Sequence, residues 1–501
     1  MISEYSATNH KGDITMRSKV FSTIGAVVLL LSLATPVLAS SRPGAPVIGQ
    51  VPSYDATAAE EEGYWYSRYN LMSLSMQSGN GETFMPDMDM MMAMAQAVDA
   101  DPNDGDMVMM PANPQLISVV YAGGDPHFAQ APNPMDFATL RWVGGNTRMS
   151  VAATAWTIIK ELEWAKQFHV DSHFGTPVDN FGAQGRFMGM VMALLPKMQF
   201  QAYMQNPAQF ETSKAGDYAL LIALSDAISV YGVTPLPNSA SNRYYDPDTA
   251  AMFRMAADQQ FATVIASHPQ KVQDLSLGIQ SLVWYAANTT NPANKAAALS
   301  QITDWGRSLQ RKKAHNPTQL GSAIRGLIEV GRVTGDTRFL DAAAGRFNIL
   351  AADFNSTYGY FNHQKKYTVD EVGTLLGAIN ASRLFLGERI DQDVAAAVFA
   401  GFFEGVVNLS GLQISTPPID QFKDPFEQED PEIYLRYPGQ PFPSEAGGAY
   451  GIAPVFAASV KFNKNGWKAD YSSFDTAGAM HSANEMIWFH NDEVNGFPVI
   501  P

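Results

Sequence analysis

Apolar residues recur three and four positions apart along most of this chain, the spacing that lines one face of an α-helix. Between Ser150 and His169 the stripe is Ala155, Ile158, Ile159, Leu162 and Ala165, with Ser150 placed to cap the first turn. The same period predicts helices over Phe181–Gln205, where Pro196 is set to kink the run, and over Lys214–Tyr231, Pro247–Ser267 and Val272–Asn288. It continues through Ala293–Lys313, Thr318–Thr334, Thr337–Phe354, Val369–Leu386 and Gln392–Asn408, and a last helix is expected over Thr476–His490. Alternation of period two is clear only in Ser459–Tyr471, where Asn465-Gly466 marks a hairpin turn. Its Pro-rich approach, Thr416–Pro454, reads as a long irregular loop. The pattern predicts a mostly α protein with a small β-hairpin element near the carboxyl end.

The helices come in pairs, and the pairs resemble one another. Gly321-Ser-Ala-Ile-Arg-Gly-Leu-Ile-Glu-Val-Gly-Arg-Val-Thr-Gly-Asp336 aligns with Gly373-Thr-Leu-Leu-Gly-Ala-Ile-Asn-Ala-Ser-Arg-Leu-Phe-Leu-Gly-Glu388. In each, a helix rich in Gly and Ala ends at a Gly-acid turn and a second helix runs back; Leu275–Asn291 carries a weaker copy. Small residues let helices approach closely, and a Gly at the turn permits a left-handed cap. Hairpins of roughly 45 to 55 residues either stack into an open solenoid or close into a ring. The stretch from Gly326 to Ala343, followed by Phe354 and Tyr358-Gly-Tyr-Phe361, resembles a hairpin of the six-hairpin (α/α) toroid superfamily. The resemblance spans about residues 210 to 410 and rests on the hairpin pattern rather than on a catalytic motif. It implies an (α/α) toroid and, through the glycosidases, polysaccharide lyases and sugar epimerases of that superfamily, a carbohydrate-active enzyme.

The amino terminus changes the expected compartment. Arg17 and Lys19 precede the apolar run Ile24–Leu33, and Val37 and Ala39 lie three and one residues before Ser40, which is the layout of a secretory signal peptide cleaved after Ala39. The run is shorter than the ~20 apolar residues that span a bilayer. Residues 1–15 are polar and precede Met16, which suggests an upstream start. The protein is therefore expected to be exported, periplasmic or extracellular, with no transmembrane segment after cleavage. The 501 residues hold no Cys, which removes disulfide scaffolds, Cys-ligated metal sites and thiol nucleophiles. A formal charge of −16 disfavours a nucleic-acid partner, which needs a basic face.

Charge is uneven, and it divides the chain. Ser40–Met110 carries eleven acids, two bases and eleven of the 24 Met, whereas Lys295–Lys366 reverses the balance with eleven bases and five acids. Four regions follow: a signal peptide over 1–39, an acidic Met-rich helical region over 40–207, a toroid body over 208–415, and the Pro-rich loop, hairpin and closing helix over 416–501.

In a closed ring, the first helix of each hairpin lies inside, and the loops leading into those helices crowd one mouth. Carboxylates there suit glycoside hydrolysis, which needs an acid and a second carboxylate. Asp370 and Glu371 are the leading catalytic candidates, one or the other as the acid, with Asp217 and Asp274 at the equivalent helix starts. Acidic residues in a first helical turn are also what the helix dipole favours. Tyr358, Tyr360, Phe361, His363 and Tyr367 precede the leading pair and are the expected sugar-binding groups. Glu161 and Glu163 fall on different faces of their helix, and ion pairs with Lys160 or Lys166 are the simpler reading. His169 and His173 could share a metal only if the helix ran past His169, and Val170-Asp-Ser172 reads as its end.

Two further readings stand beside the sugar enzyme, which itself requires no cofactor. Thioethers select Cu(I), and the cluster around Met85, Met88 and Met90 makes a copper-binding envelope protein the first alternative. Pro86-Asp87 can equally start a helix whose Met residues pack a core. The second alternative is a non-catalytic extracytoplasmic binding protein. No phosphate loop, GxSxG elbow or EF-hand loop occurs.

Overall fold

A computed structural model describes residues 55–71, 81–84, 88, 91–92, 116–118, 123–124, 148–169, 172–173, 176–177, 182–412, 456–470, 472–489 and 496–500. All of them fall within one compact unit spanning residues 46–501. Helices dominate: α1 (Ala56–Leu71), α2 (Val151–Gln167), α3 (Gly182–Gln205), α4 (Lys214–Gly232), α5 (Pro247–Ala266) and α6 (Val272–Asn288) come first. They are followed by α7 (Pro292–Arg311), α8 (Pro317–Thr334), α9 (Thr337–Ala352), α10 (Val369–Phe385), α11 (Gln392–Phe402) and α12 (Thr476–Ile487). Beyond Phe402 the backbone widens into a π-helix, Phe403–Leu409. Among the described residues, no helix is long and apolar enough to cross a membrane.

Packing follows from which helices are buried all round. In α2 every residue but Ala152 is buried, and α8 is buried without a break over most of its length, so neither can be a surface helix. α2 packs on α4, α4 on α6, α6 on α8, α8 on α10, α10 on α12, and α12 on α2. The odd-numbered helices cover these: α3 lies on α2, α5 on α4, α7 on α6, α9 on α8, α11 on α10, while α1 lies on α12. The contacts between α2 and α4 cross the region boundary expected at residue 207.

The helix ends obey local rules. Ser150, Ser213, Asp246, Asn291, Asn316, Asp336, Asp391 and Asp475 each accept a backbone N–H in the first turn of the helix they precede. Both Gly-acid turns of the repeat take the left-handed conformation, with φ 69° at Gly335 and 51° at Gly387. Nothing lies within 4 Å of where a Gly335 Cβ would sit, so only the backbone opposes a side chain there. Gly335→Ala is expected to cost about 1 kcal/mol, read as a lower urea midpoint; an unchanged midpoint would contradict the cap.

The β-structure is short. β1 (Gly123–Gly124) pairs antiparallel with β5 (Phe474–Asp475). β2 (Lys366–Thr368), β3 (Ser459–Asn463) and β4 (Gly466–Asp470) form a three-stranded antiparallel sheet with β3 in the centre. The hairpin expected around Gly466 is present, but its turn falls one residue earlier, because Asn463 pairs with Gly466, whose φ is 95°. The inner face of the sheet sets Tyr367, Val460 and Ala469 side by side, all buried.

Candidate functional site

The amino-terminal ends of α10 and α12 meet closely. Gly478, in the first turn of α12, is the reason: the position its Cβ would occupy lies 2.9 Å from Asp475 Oδ2, 3.2 Å from the Asp370 backbone nitrogen and 2.8 Å from a Val369 methyl. Any side chain there would push the two helix ends apart. Ser482 Oγ donates to the Val369 carbonyl at 2.5 Å and fastens the same junction.

That junction gathers five side chains. Asp370 accepts from His481 Nδ1 at 2.8 Å. On the other side of the imidazole, Nε2 lies 3.7 Å from a Glu485 oxygen, and the Trp156 ring packs 4.5 Å from the imidazole centre. Asp475 caps α12 by accepting from the Gly478 N–H at 3.2 Å. Asp370 is crowded by protein, yet 57% of its side chain stays open to solvent.

The carboxylates are pushed in opposite directions. The surrounding protein works against ionising Asp370, but the charge and hydrogen bond of His481 outweigh it and hold its pKa below the usual range. Burial pushes the Asp475 carboxyl up; the Gly478 N–H resists, and the negative charge of Asp370 adds to the rise. Burial also works against a charged His481, yet Asp370 and Glu485 overcome it and raise the imidazole to about 10. His481 is therefore an imidazolium at neutral pH.

Charged side chains are also buried among α2, α4, α8 and α12. Arg325 bridges Glu329 at 3.3 Å and Glu485 at 3.6 Å, and its guanidinium stacks on Phe497 at 3.9 Å. Lys166 bonds to Glu163 at 2.5 Å and to Asp226 at 2.8 Å, and lies over the Trp284 ring. Burial pushes Glu163 up to about 8 against the pull of Lys166. Lys160 donates to Ser67 and to the Ala483 carbonyl, and burial lowers its pKa. The pairing of Glu163 with Lys166 is one of those the sequence left open, whereas Glu161 is held by Gln199 at 2.7 and 2.8 Å.

The other expected site residues fall as follows. Glu371 closes a capping box with Thr368 and serves the start of α10. Tyr360, Phe361 and Tyr367 are buried, packed against Phe462, Trp467 and Phe402, so their rings are spent on the core beneath the sheet rather than open to a stacking sugar. Tyr358 is half-buried and stacks on Tyr360. His363 is 80% exposed and bonds to Asp353. Asp217 and Asp274 sit in the first turns of α4 and α6, where burial raises Asp217. His169 binds Ser239 Oγ at 2.9 Å and the Arg243 N–H at 2.8 Å, inside the α4–α5 connection. Met88 is 70% exposed; Met85 and Met90 lie outside the described residues, as does the His173 side chain. Among the described residues no cluster of three or more His, Asp or Glu side chains could hold a metal ion.

Asp475 and Trp156 were not singled out from the sequence. The signal for Asp475 was its place immediately before the last predicted helix, the same helix-start position that drew attention to Asp370. Comparison with protein-family models, with curated proteins and with solved structures gave no match to this chain.

Proposed function

We propose that the protein is an exported (α/α) toroid that hydrolyses glycosidic bonds at the junction of α10 and α12. The observation that carries this reading is the pair Asp370 and Asp475: two carboxyl groups at adjoining helix starts whose surroundings drive their pKa values apart, which separates an acid from a base. The cyclic order of helix packing supports the toroid. The signal-peptide pattern at 17–39 supports export.

In this mechanism Asp475, whose surroundings favour its protonated form, gives its proton to the glycosidic oxygen as the bond to the anomeric carbon breaks. Asp370, ionised and accessible, takes a proton from the water whose oxygen attacks that carbon. His481 is a positioning residue, holding Asp370 in place and in its charged form. The sequence assigned the acid role to Asp370 or Glu371; the ionised state of Asp370 moves it to the base, and Glu371 to helix capping.

The test is reducing-sugar release by residues 40–501 from a panel of glycans. Asp370→Asn and Asp475→Asn should each abolish release while circular dichroism stays unchanged, and Glu371→Gln should retain it. No release from any glycan, or release that survives both substitutions, removes the reading. The copper reading draws on Met88 and Met92 being 70% and 55% exposed rather than packed. It predicts Cu(I) binding by the same protein, and a flat titration disposes of it.

A further inference from the structure

The sheet beside the mouth carries an unusual row of charge. In the antiparallel register Lys366 on β2 stands opposite Lys461 on β3, which stands opposite Lys468 on β4. The three therefore share one row and one face, and all three are exposed. Lys464, in the turn between β3 and β4, is exposed beside them. None of these four makes an ion pair among the described residues. Like charges directly opposed across strands destabilise a sheet. The neighbouring row on the same face, Thr368, Ser459 and Asp470, supplies one carboxylate. That carboxylate is engaged by Ser472, whose hydroxyl and N–H hold its pKa low, with Lys366 and Lys468 adding to the effect.

Position gives the row its meaning. β2 runs straight into α10, so Lys366 stands four residues before Asp370. Further basic residues lie away from the sheet. Gln364 Oε1 accepts from the N–H and hydroxyl of Thr318 at 3.1 and 2.9 Å, tying this strand to the start of α8. There His315 and His363, the latter bonded to Asp353, line one cleft of about 390 Å³, just after Lys312 and Lys313. On a chain of net charge −16, an anionic polymer is repelled by most of the surface and drawn to this track.

We infer that the substrate is a linear glycan bearing a negative charge on each repeat, held by Lys366, Lys461 and Lys468 as it leads into the Asp370–Asp475 mouth. Strands lie about 4.8 Å apart, so the row offers an ammonium group at each step across the sheet, a spacing comparable to the length of a sugar ring. The inference rests on the hydrolase reading for what the mouth does, but the row is testable by binding alone.

The experiment measures binding of polygalacturonate, dextran sulfate and neutral dextran to residues 40–501 carrying Asp370→Asn, with and without Lys366→Ser, Lys461→Ser and Lys468→Ser together. The three lysines are exposed, so the triple variant is expected to fold, and its thermal midpoint checks that. Binding of polygalacturonate or dextran sulfate that weakens with salt, and weakens at least tenfold in the triple variant, supports the inference; the anion bound names carboxylate or sulfate. Neutral dextran bound as well as both charged polymers, an unaffected triple variant, or duplex DNA bound as tightly as either glycan overturns it. Charged glycan bound by the row but never cleaved by the native chain defeats the hydrolase reading alone. Cleavage confined to neutral glycans defeats only the row.

Discussion

Lys166→Met is expected to cost about 3–5 kcal/mol of folding stability, the penalty for stripping one partner from a buried ion cluster. Glu163 and Asp226 are both fully buried, and Lys166 is the cation bonded to each. Methionine fills nearly the same volume, so the loss comes from charge rather than from a cavity. What remains is two buried carboxyl groups facing one another, and the protein must either bind protons there or open to water. Adding Glu163→Gln and Asp226→Asn to Lys166→Met should recover a large part of the loss, since the charges requiring a partner are then gone. For contrast, Arg307 and Asp304 form a pair with 57% and 61% of their side chains exposed. Removing Arg307 should cost about 0.5 kcal/mol or less. Urea midpoints decide the matter: a Lys166→Met loss as small as that of Arg307→Ala would mean that water already reaches the cluster.

What the sequence revealed, and what it hid, divides along the range of the interactions involved. The Gly-acid turns at Gly335 and Gly387 were legible because a left-handed cap is a property of one residue and its neighbours. So was the helix start at Thr368, whose capping box with Glu371 is a pattern four residues long. Helix α1 was not foreseen. Its Glu62 is buried and accepts from Asn408 at 2.6 Å, and Tyr66 donates to the same side chain at 2.8 Å. A helix that buries a carboxylate against a partner 346 residues away has no clean polar face for periodicity to find. The aromatic run from Tyr358 to Tyr367 was misleading for a related reason. A ring that stacks on sugar and a ring that packs a core are the same residue type, and the choice is made by Phe402, Phe462 and Trp467, which arrive from α11, β3 and β4. At the site itself, Asp370 could be proposed from its place at a helix start, but its partners His481 and Asp475 lie more than 100 residues downstream. Only the packing of α12 against α10 and α2 brings those groups and Trp156 together.

That same packing sets a pH dependence. In the unfolded chain His481 titrates near its ordinary 6.5, and in the folded protein near 10, so between these values the folded state holds a proton that the unfolded state has released. Stability from this group is complete below pH 6.5 and is lost as pH rises through 10, with each unit of separation worth about 1.4 kcal/mol. Glu163 acts in the same sense lower down: raised from 4.5 to about 8, it withdraws stability as pH climbs through that window. Lys160 opposes them, because its lowered pKa leaves the folded state with fewer protons in the alkaline range. Asp370, held below its ordinary value, loses its contribution only in acid. The His481 share is isolated by difference. Thermal midpoints of the native chain and of His481→Gln, taken from pH 6 to pH 10, should start far apart and converge as pH rises, since Glu163 and Lys160 are common to both. A gap that stays constant would show that the imidazolium is not what joins α12 to Asp370. Convergence, together with an acidic limb of the hydrolysis profile that moves to higher pH in His481→Gln, would make one ion pair responsible both for joining α12 to α10 and for keeping the base ionised.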